Sequence, residues 1–217
     1  MGESGHGSYR LIMKWFFIAL PLLALSLFCF AQPKGSKPPV EKQNPRYVAE
    51  APLPKGWPKP GPYNEVTLKT FPAYRAAYTQ GKGSGFAFWR LFRHIKRQGI
   101  PMTSPVEIGM AQKEQKLGME SMGFLYQHDE VGKLGQDGRK IEVRDVAAMK
   151  ALSYTWQGDK NKTTLQKAKL ALDTVSKKRG VKSDDYRVMG YNGPRVSKDQ
   201  KTWEMLLVLP AKEEPQP

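Results

Sequence analysis

At 217 residues, with 35 lysines and arginines against 20 acidic residues and a formal charge of +15, the chain has room for one domain with a genuine core. Its lone cysteine, Cys29, excludes an intramolecular disulfide, a cysteine-rich zinc site and paired-cysteine redox chemistry. The basic excess suits an anionic partner or simply a solvated basic surface.

The chain opens with an address. Arg10 and Lys14 precede an apolar run from Trp15 to Ala31, broken once at Pro21, and Cys29 and Ala31 are small residues suited to cleavage before Gln32. Residues 1–31 therefore read as a signal peptide or, uncleaved, as a membrane anchor over residues 11–31. Either way the protein is expected to be exported, periplasmic or extracellular. Residues 32–62 carry nine of the seventeen prolines together with Lys34, Lys37, Lys42, Arg46, Lys55 and Lys59, which predicts an extended spacer that buries little. The domain is expected over residues 63–210, with 211–217 a tail.

Within the domain, Val66 and Leu68 alternate with Thr67 and Lys69, the pattern of a strand with one buried face. Pro72 interrupts it at a bulge or edge, and Tyr74, Ala76 and Tyr78 resume the alternation. Gly81 to Gly85 predicts a flexible turn, with Ser84 as N-cap of the helix that follows. There Phe88, Leu91, Phe92 and Ile95 fall on one helical stripe, which Gly99 can end. Strands are predicted for Met102 to Ile108 and Ser121 to Gln127, and a further strand-like stretch for Ile141 to Tyr154. A second helix spans residues 161–179, with Lys177, Lys178 and Arg179 at its C-terminal end and Gly180 after it. Tyr186 to Tyr191 and Thr202 to Leu209 read as strands. Met205 to Leu209 is apolar without alternation, so burial on both faces is expected.

The order repeats. Residues 66–76 reappear 75 positions later as residues 141–151: Val66, Leu68, Phe71 and Tyr74 align with Ile141, Val143, Val146 and Met149, and Lys69 with Arg144. Two copies at so long a shift are not a solenoid. They predict an α+β domain of duplicated βαββ units, with two helices on a curved antiparallel sheet or distorted barrel and a cleft between the halves.

Four segments carry a resemblance. They are Phe71-Pro-Ala-Tyr74, Phe92-Arg-His-Ile95, Ile100-Pro-Met-Thr-Ser-Pro-Val106 and Met189-Gly-Tyr-Asn-Gly-Pro194, the last followed by Trp203. In this order they resemble the SOUL haem-binding protein family over roughly residues 63–210, Met-Thr-Ser-Pro-Val being the most specific piece. The resemblance implies a barrel of two βαββ units that binds haem or another tetrapyrrole noncovalently beside the first helix. A porphyrin is an apolar disc with two carboxylates, so it needs an apolar wall rimmed by cations. Phe86, Phe88, Trp89 and Phe92 supply aromatic area and Arg90, Arg93 and Arg97 supply charge. The resemblance places Arg90 and Arg93 at basic positions near the propionates. Phe88 and Phe92 also fit plain core packing, and the arginines a solvated face. Where some relatives carry an axial histidine this chain has Thr70, a poor iron ligand. His94 is the candidate replacement; His128 reads as loop.

No Gly-x-Ser-x-Gly, His-Glu-x-x-His or glycine-rich phosphate loop is present, so no enzymatic activity is expected. Glu107 and Glu142 read by alternation as outward-facing strand residues. The alternatives to a tetrapyrrole are another amphipathic small molecule, as the same duplication resembles GyrI-like effector-binding domains, and an anionic membrane surface met through the spacer and Lys167, Lys169 and Lys177. Export and the lack of a DNA- or RNA-binding motif lead to the expectation of no nucleic-acid partner.

Overall fold

A computed structural model of the chain describes residues 45–80, 84–113 and 116–211. The expected leader, the first part of the spacer, the turn over residues 81–83, the side chain of Ser84 and residues 212–217 lie outside the described residues.

Each repeat supplies two strands, a helix and two more strands. The first contains β1 (Val66–Phe71), β2 (Tyr74–Gln80), α1 (Ser84–Arg97), β3 (Val106–Lys113) and β4 (Lys116–Leu125). After a short β5 (Gly135–Asp137), the second contains β6 (Ile141–Val146), β7 (Met149–Gln157), α2 (Lys162–Lys178), β8 (Tyr186–Gly190) and β9 (Thr202–Val208). All nine strands form one antiparallel sheet in the order β1-β7-β9-β8-β3-β4-β2-β6-β5. Outward from the central β8–β3 pair the order is the same in both directions, apart from β5 at one edge. The fold is thus α+β, with two helices on a curved, open sheet built from duplicated units.

The long first strand predicted for each repeat is in fact two. Phe71 is the last residue opposite β7, where it faces Met149, and Tyr74 is the first opposite β6, where it faces Val146. Pro72 cannot donate to a ladder, so the chain leaves one neighbour there and joins another. In the second repeat the break falls at Ala147 and Ala148, and β7 swaps in the reciprocal sense. Each repeat therefore lends its first half-strand to the other repeat's half of the sheet.

The helices cover one face. Ala87, Leu91 and Ile95 of α1 pack on Met122, Phe124, Ile141 and Val143, and Ala168 and Leu172 of α2 pack on Leu152, Tyr154, Trp156, Met205 and Leu207. The helical stripe of 3.6-residue period meets the strand pattern of period two, and each fully buried leucine contributes on the order of 2 kcal/mol. Asn161 caps α2: its Oδ1 accepts from Thr164 N at 3.0 Å, and its own N–H donates to Thr164 Oγ1 at 2.9 Å.

The other face holds Phe71, Tyr74, Tyr78, Ala151, Met189 and Leu206, with Trp57 buried among them. This corrects the expected spacer over residues 32–62, because from residue 45 onward the segment is a strap on the domain. Trp57 is only 5 % exposed and its ring lies 4.8 Å from Phe71 and 5.2 Å from Tyr74. Backbone bonds Lys55 N to Gln127 O and Ser104 N to Pro52 O, both within 3.0 Å, pin it down. Proline and lysine content hid this, since one tryptophan is enough to anchor an otherwise polar segment.

Candidate functional site

The strap closes one end of the concave face, near the starts of β2 and β3 and the end of β8. Elsewhere on that face a cleft of about 380 Å³ stays open, lined by Tyr78, Glu107, Ser121, Arg144 and Arg187 among others. Glu107 and Arg187 hold equivalent places in β3 and β8, since Val106 lies opposite Gly190 and Met110 opposite Tyr186. They meet across the repeat boundary, with Arg187 Nη1 3.7 Å from Glu107 Oε1.

Glu107 is 4 % exposed, which corrects the outward placement expected from alternation. The residue does point away from the helices, but that second face is covered too. Its Oε2 accepts from Tyr74 Oη at 2.7 Å and Tyr78 Oη at 3.0 Å. Burial, and then the Glu107 charge, push both hydroxyls well above the usual tyrosine range, so they remain donors. Gly123 makes the arrangement possible: a Cβ there would lie 2.5 Å from Tyr78 Cε1, so only glycine lets that ring lie flat across β4. Arg187 donates to Tyr74 Oη at 3.0 Å and forks onto Asp185 at 3.0 and 2.7 Å. Glu107 Oε1 accepts no hydrogen bond among the described residues, and Arg144 lies 4.3 Å over the Tyr78 ring. The cleft thus offers one carboxylate oxygen, an aromatic face and the Arg144 cation.

The residues singled out for a tetrapyrrole lie on the opposite side of the sheet, along α1. Phe88 and Phe92 are half-buried and stacked, and Phe88 meets Phe124 at 5.1 Å, so both serve the core with one edge free. Trp89 stands edge-on to both, at 5.7 and 5.9 Å, and is 58 % exposed; Phe86 is 73 % exposed. Arg90 is half-buried and Arg93 exposed, and neither makes an ion pair among the described residues. Arg97 differs: its guanidinium is bound to Asp137. The structure brings Phe86, Trp89, Arg90 and Arg93 onto the solvent side of one helix and draws Arg97 away.

His94 is corrected as a metal ligand. It is 2 % exposed, with Nδ1 bonded to Asp137 and Nε2 2.8 Å from Tyr126 Oη. Both ring nitrogens are used, so neither has a lone pair directed at an iron. The Tyr126 hydroxyl, raised to about 12 by burial and by Asp137, remains protonated beside it. The Asp137 carboxyl is held below its ordinary range, chiefly by the His94 hydrogen bond and also by Arg97. Sequence pattern placed His94 on the helix, but its partners are Tyr126, just after β4, and Asp137 of β5, 32 and 43 residues away. Tested against a haem, the α1 surface suits the porphyrin disc and its carboxylates and does not suit an axially ligated iron.

The family model described as SOUL heme-binding protein matches residues 62–208. The chain belongs to this family. Its description makes haem or a related tetrapyrrole the ligand class of the family. No curated protein matches the chain. Among solved structures, the EcmrR C-terminal domain is 15 % identical with a TM-score of 0.51, covering 67 % of this chain and 97 % of that one. A hydrolase from Listeria innocua is 13 % identical with a TM-score of 0.52, covering 69 % of this chain and 94 % of that one. The EcmrR–DNA complex is 15 % identical with a TM-score of 0.52 over 67 % of this chain, which spans 57 % of the length of that one. At such identities the likeness is one of fold, which this SOUL chain shares with proteins of differing description.

The third structure overturns the expectation of no nucleic-acid partner. A chain carrying this same fold stands in a complex with DNA. The lack of a DNA-reading motif within the domain therefore excludes nothing, because the protein that bears the fold can meet DNA as a whole.

Proposed function

We propose that this protein binds a small amphipathic molecule without transforming it, and that a tetrapyrrole lies on the outer surface of α1. One observation carries the reading. Phe86 and Trp89 stay 73 % and 58 % exposed beside Arg90 and Arg93, although the same helix buries Leu91 and Ile95 almost completely. A planar ring stacks on the aromatics while its carboxylates reach the guanidinium groups. The apolar run from Trp15 to Ala31 supports export, and the lack of a nucleophile–base constellation in the sequence supports a noncatalytic role.

Titration with hemin and with metal-free protoporphyrin tests this. Both are expected to give saturable Soret changes of similar affinity, because no side chain on α1 offers an axial bond. Arg90→Ala with Arg93→Ala is expected to raise Kd for both at least about tenfold, since a charge-assisted hydrogen bond is worth about 1.5–3 kcal/mol. Much tighter binding of hemin, abolished by His94→Ala, would refute the ligation reading.

The Glu107 cleft favours a second reading, in which a different amphipathic molecule sits on the concave face. What supports it is the Oε1 of a nearly buried carboxylate beside the Tyr78 ring, which accepts no hydrogen bond among the described residues and has only Arg187, 3.7 Å away, as its cation. Under that reading, binding survives the two arginine changes and is expected to weaken about tenfold in Glu107→Gln, measured by calorimetry against a panel of aromatic amphiphiles.

A further inference from the structure

We infer that the outer surface of α1 is a docking surface for an anionic lipid bilayer. Its composition runs in order along the helix. Phe86 and Trp89, the two most exposed aromatics of the described residues, stand toward the start, and Arg90, Arg93 and Lys96 follow, while Arg97 is taken by Asp137. Tryptophan and phenylalanine rings partition into the headgroup region of a bilayer, and arginine and lysine pair with lipid phosphates just above it. The helix has 14 residues, and no described helix is long and apolar enough to cross a membrane, so α1 lies along the surface.

The expected lipid contact through α2 fits less well. Among the large apolar residues of α2 only Leu170 is strongly exposed, and Lys169 is bound to Asp173 at 2.6 Å and lies over the Tyr186 ring. On α1 Trp89 stands edge-on to Phe88 and Phe92, and Lys96 lies 5.7 Å from the Phe92 ring centre. Trp89, braced by its neighbours and flanked by Arg90 and Arg93, which make no ion pair among the described residues, loses little entropy on docking. Charge complementarity fixes the lipid class as anionic.

A bilayer covers the same Phe86, Trp89, Arg90 and Arg93 as the tetrapyrrole reading, so the two ligands compete for α1, and the test of docking contains no porphyrin. Full-length protein is mixed with vesicles of equimolar dibrominated phosphatidylcholine and phosphatidylglycerol. Trp89 emission is taken as the difference between wild type and Trp89→Phe, so that the other four tryptophans cancel. Because the Trp15–Ala31 run can itself hold the chain on a vesicle, the readout is bromine quenching of Trp89 rather than sedimentation. Trp89 is expected to be quenched with phosphatidylglycerol present, and far less in phosphatidylcholine alone or at high salt. Arg90→Gln with Arg93→Gln is expected to lower the ratio of docked to undocked domain about 30-fold. Trp89 that stays unquenched on phosphatidylglycerol vesicles, or is quenched equally without anionic lipid, would overturn the inference. Either result would leave the hemin titration, run without lipid, to be judged separately.

Discussion

Replacing Lys69 with methionine is expected to cost about 3–5 kcal/mol of stability, read as a lower urea midpoint with an unchanged slope. Lys69 is the cation for Glu204, a carboxylate with no exposed surface on the concave side of β9, and the pair stands at 2.5 Å. Ser153 also donates to Glu204 Oε1, and Tyr191 Oη donates to Oε2 at 2.5 Å. Burial and the Glu204 charge hold the Tyr191 hydroxyl well above its usual range, so it stays a donor. These neutral donors cannot replace the ammonium. Without Lys69 the carboxylate is a buried charge with no cation bonded to it, which is far costlier than losing an exposed pair. The double variant Lys69→Met with Glu204→Leu is expected to recover most of the loss, because a packed apolar pair removes the stranded charge. A single-variant cost below about 1 kcal/mol would show that the pair behaves like a surface one.

That pair marks where the sequence stops being readable. Lys69 was visible as the partner of Arg144 in the repeat, but Glu204 lies 135 residues further on, and no local pattern joins them. The repeat itself was legible because alternation and helical spacing are local, and each half buries its own stripe. Leu91 and Ile95 both turned inward as spacing required. Of the unbroken run Met205 to Leu209, the first three residues are buried as implied, while Val208 and Leu209 are half-buried. The break at Pro72 was legible as an interruption, whereas the exchange of partners across it depends on where the other repeat lies. Trp89 was legible as off the main stripe of α1. Glu107 was not, because alternation tells which way a side chain points and never what covers it. Tyr74 and Tyr78, four residues apart on one face of β2 with small Gly123 opposite, were the signal that something polar had to meet two hydroxyls.

Trp57→Ala is expected to cost about 3–5 kcal/mol as well, although it changes one residue in a segment that reads as a spacer. The indole packs on Phe71 and Tyr74 and donates from Nε1 to Tyr191 Oη at 3.3 Å. Through Tyr191 it supports Glu204, and through Tyr74 it supports Glu107, so the cavity left behind borders the tyrosines that hold both buried carboxylates. A true spacer residue would change stability by no more than about 0.5 kcal/mol, which makes thermal or urea unfolding decisive. The amides of Lys55 and Ser104, which bond Gln127 O and Pro52 O, are expected to lose hydrogen-exchange protection first. The same variant also separates the two ligand readings. The α1 surface lies across the sheet, and among the described residues it belongs to a different core cluster from the strap, so porphyrin affinity measured well below the unfolding midpoint should be unchanged. A ligand of the Glu107 cleft depends on Tyr74 staying in place, and its affinity should fall together with the protection of the strap.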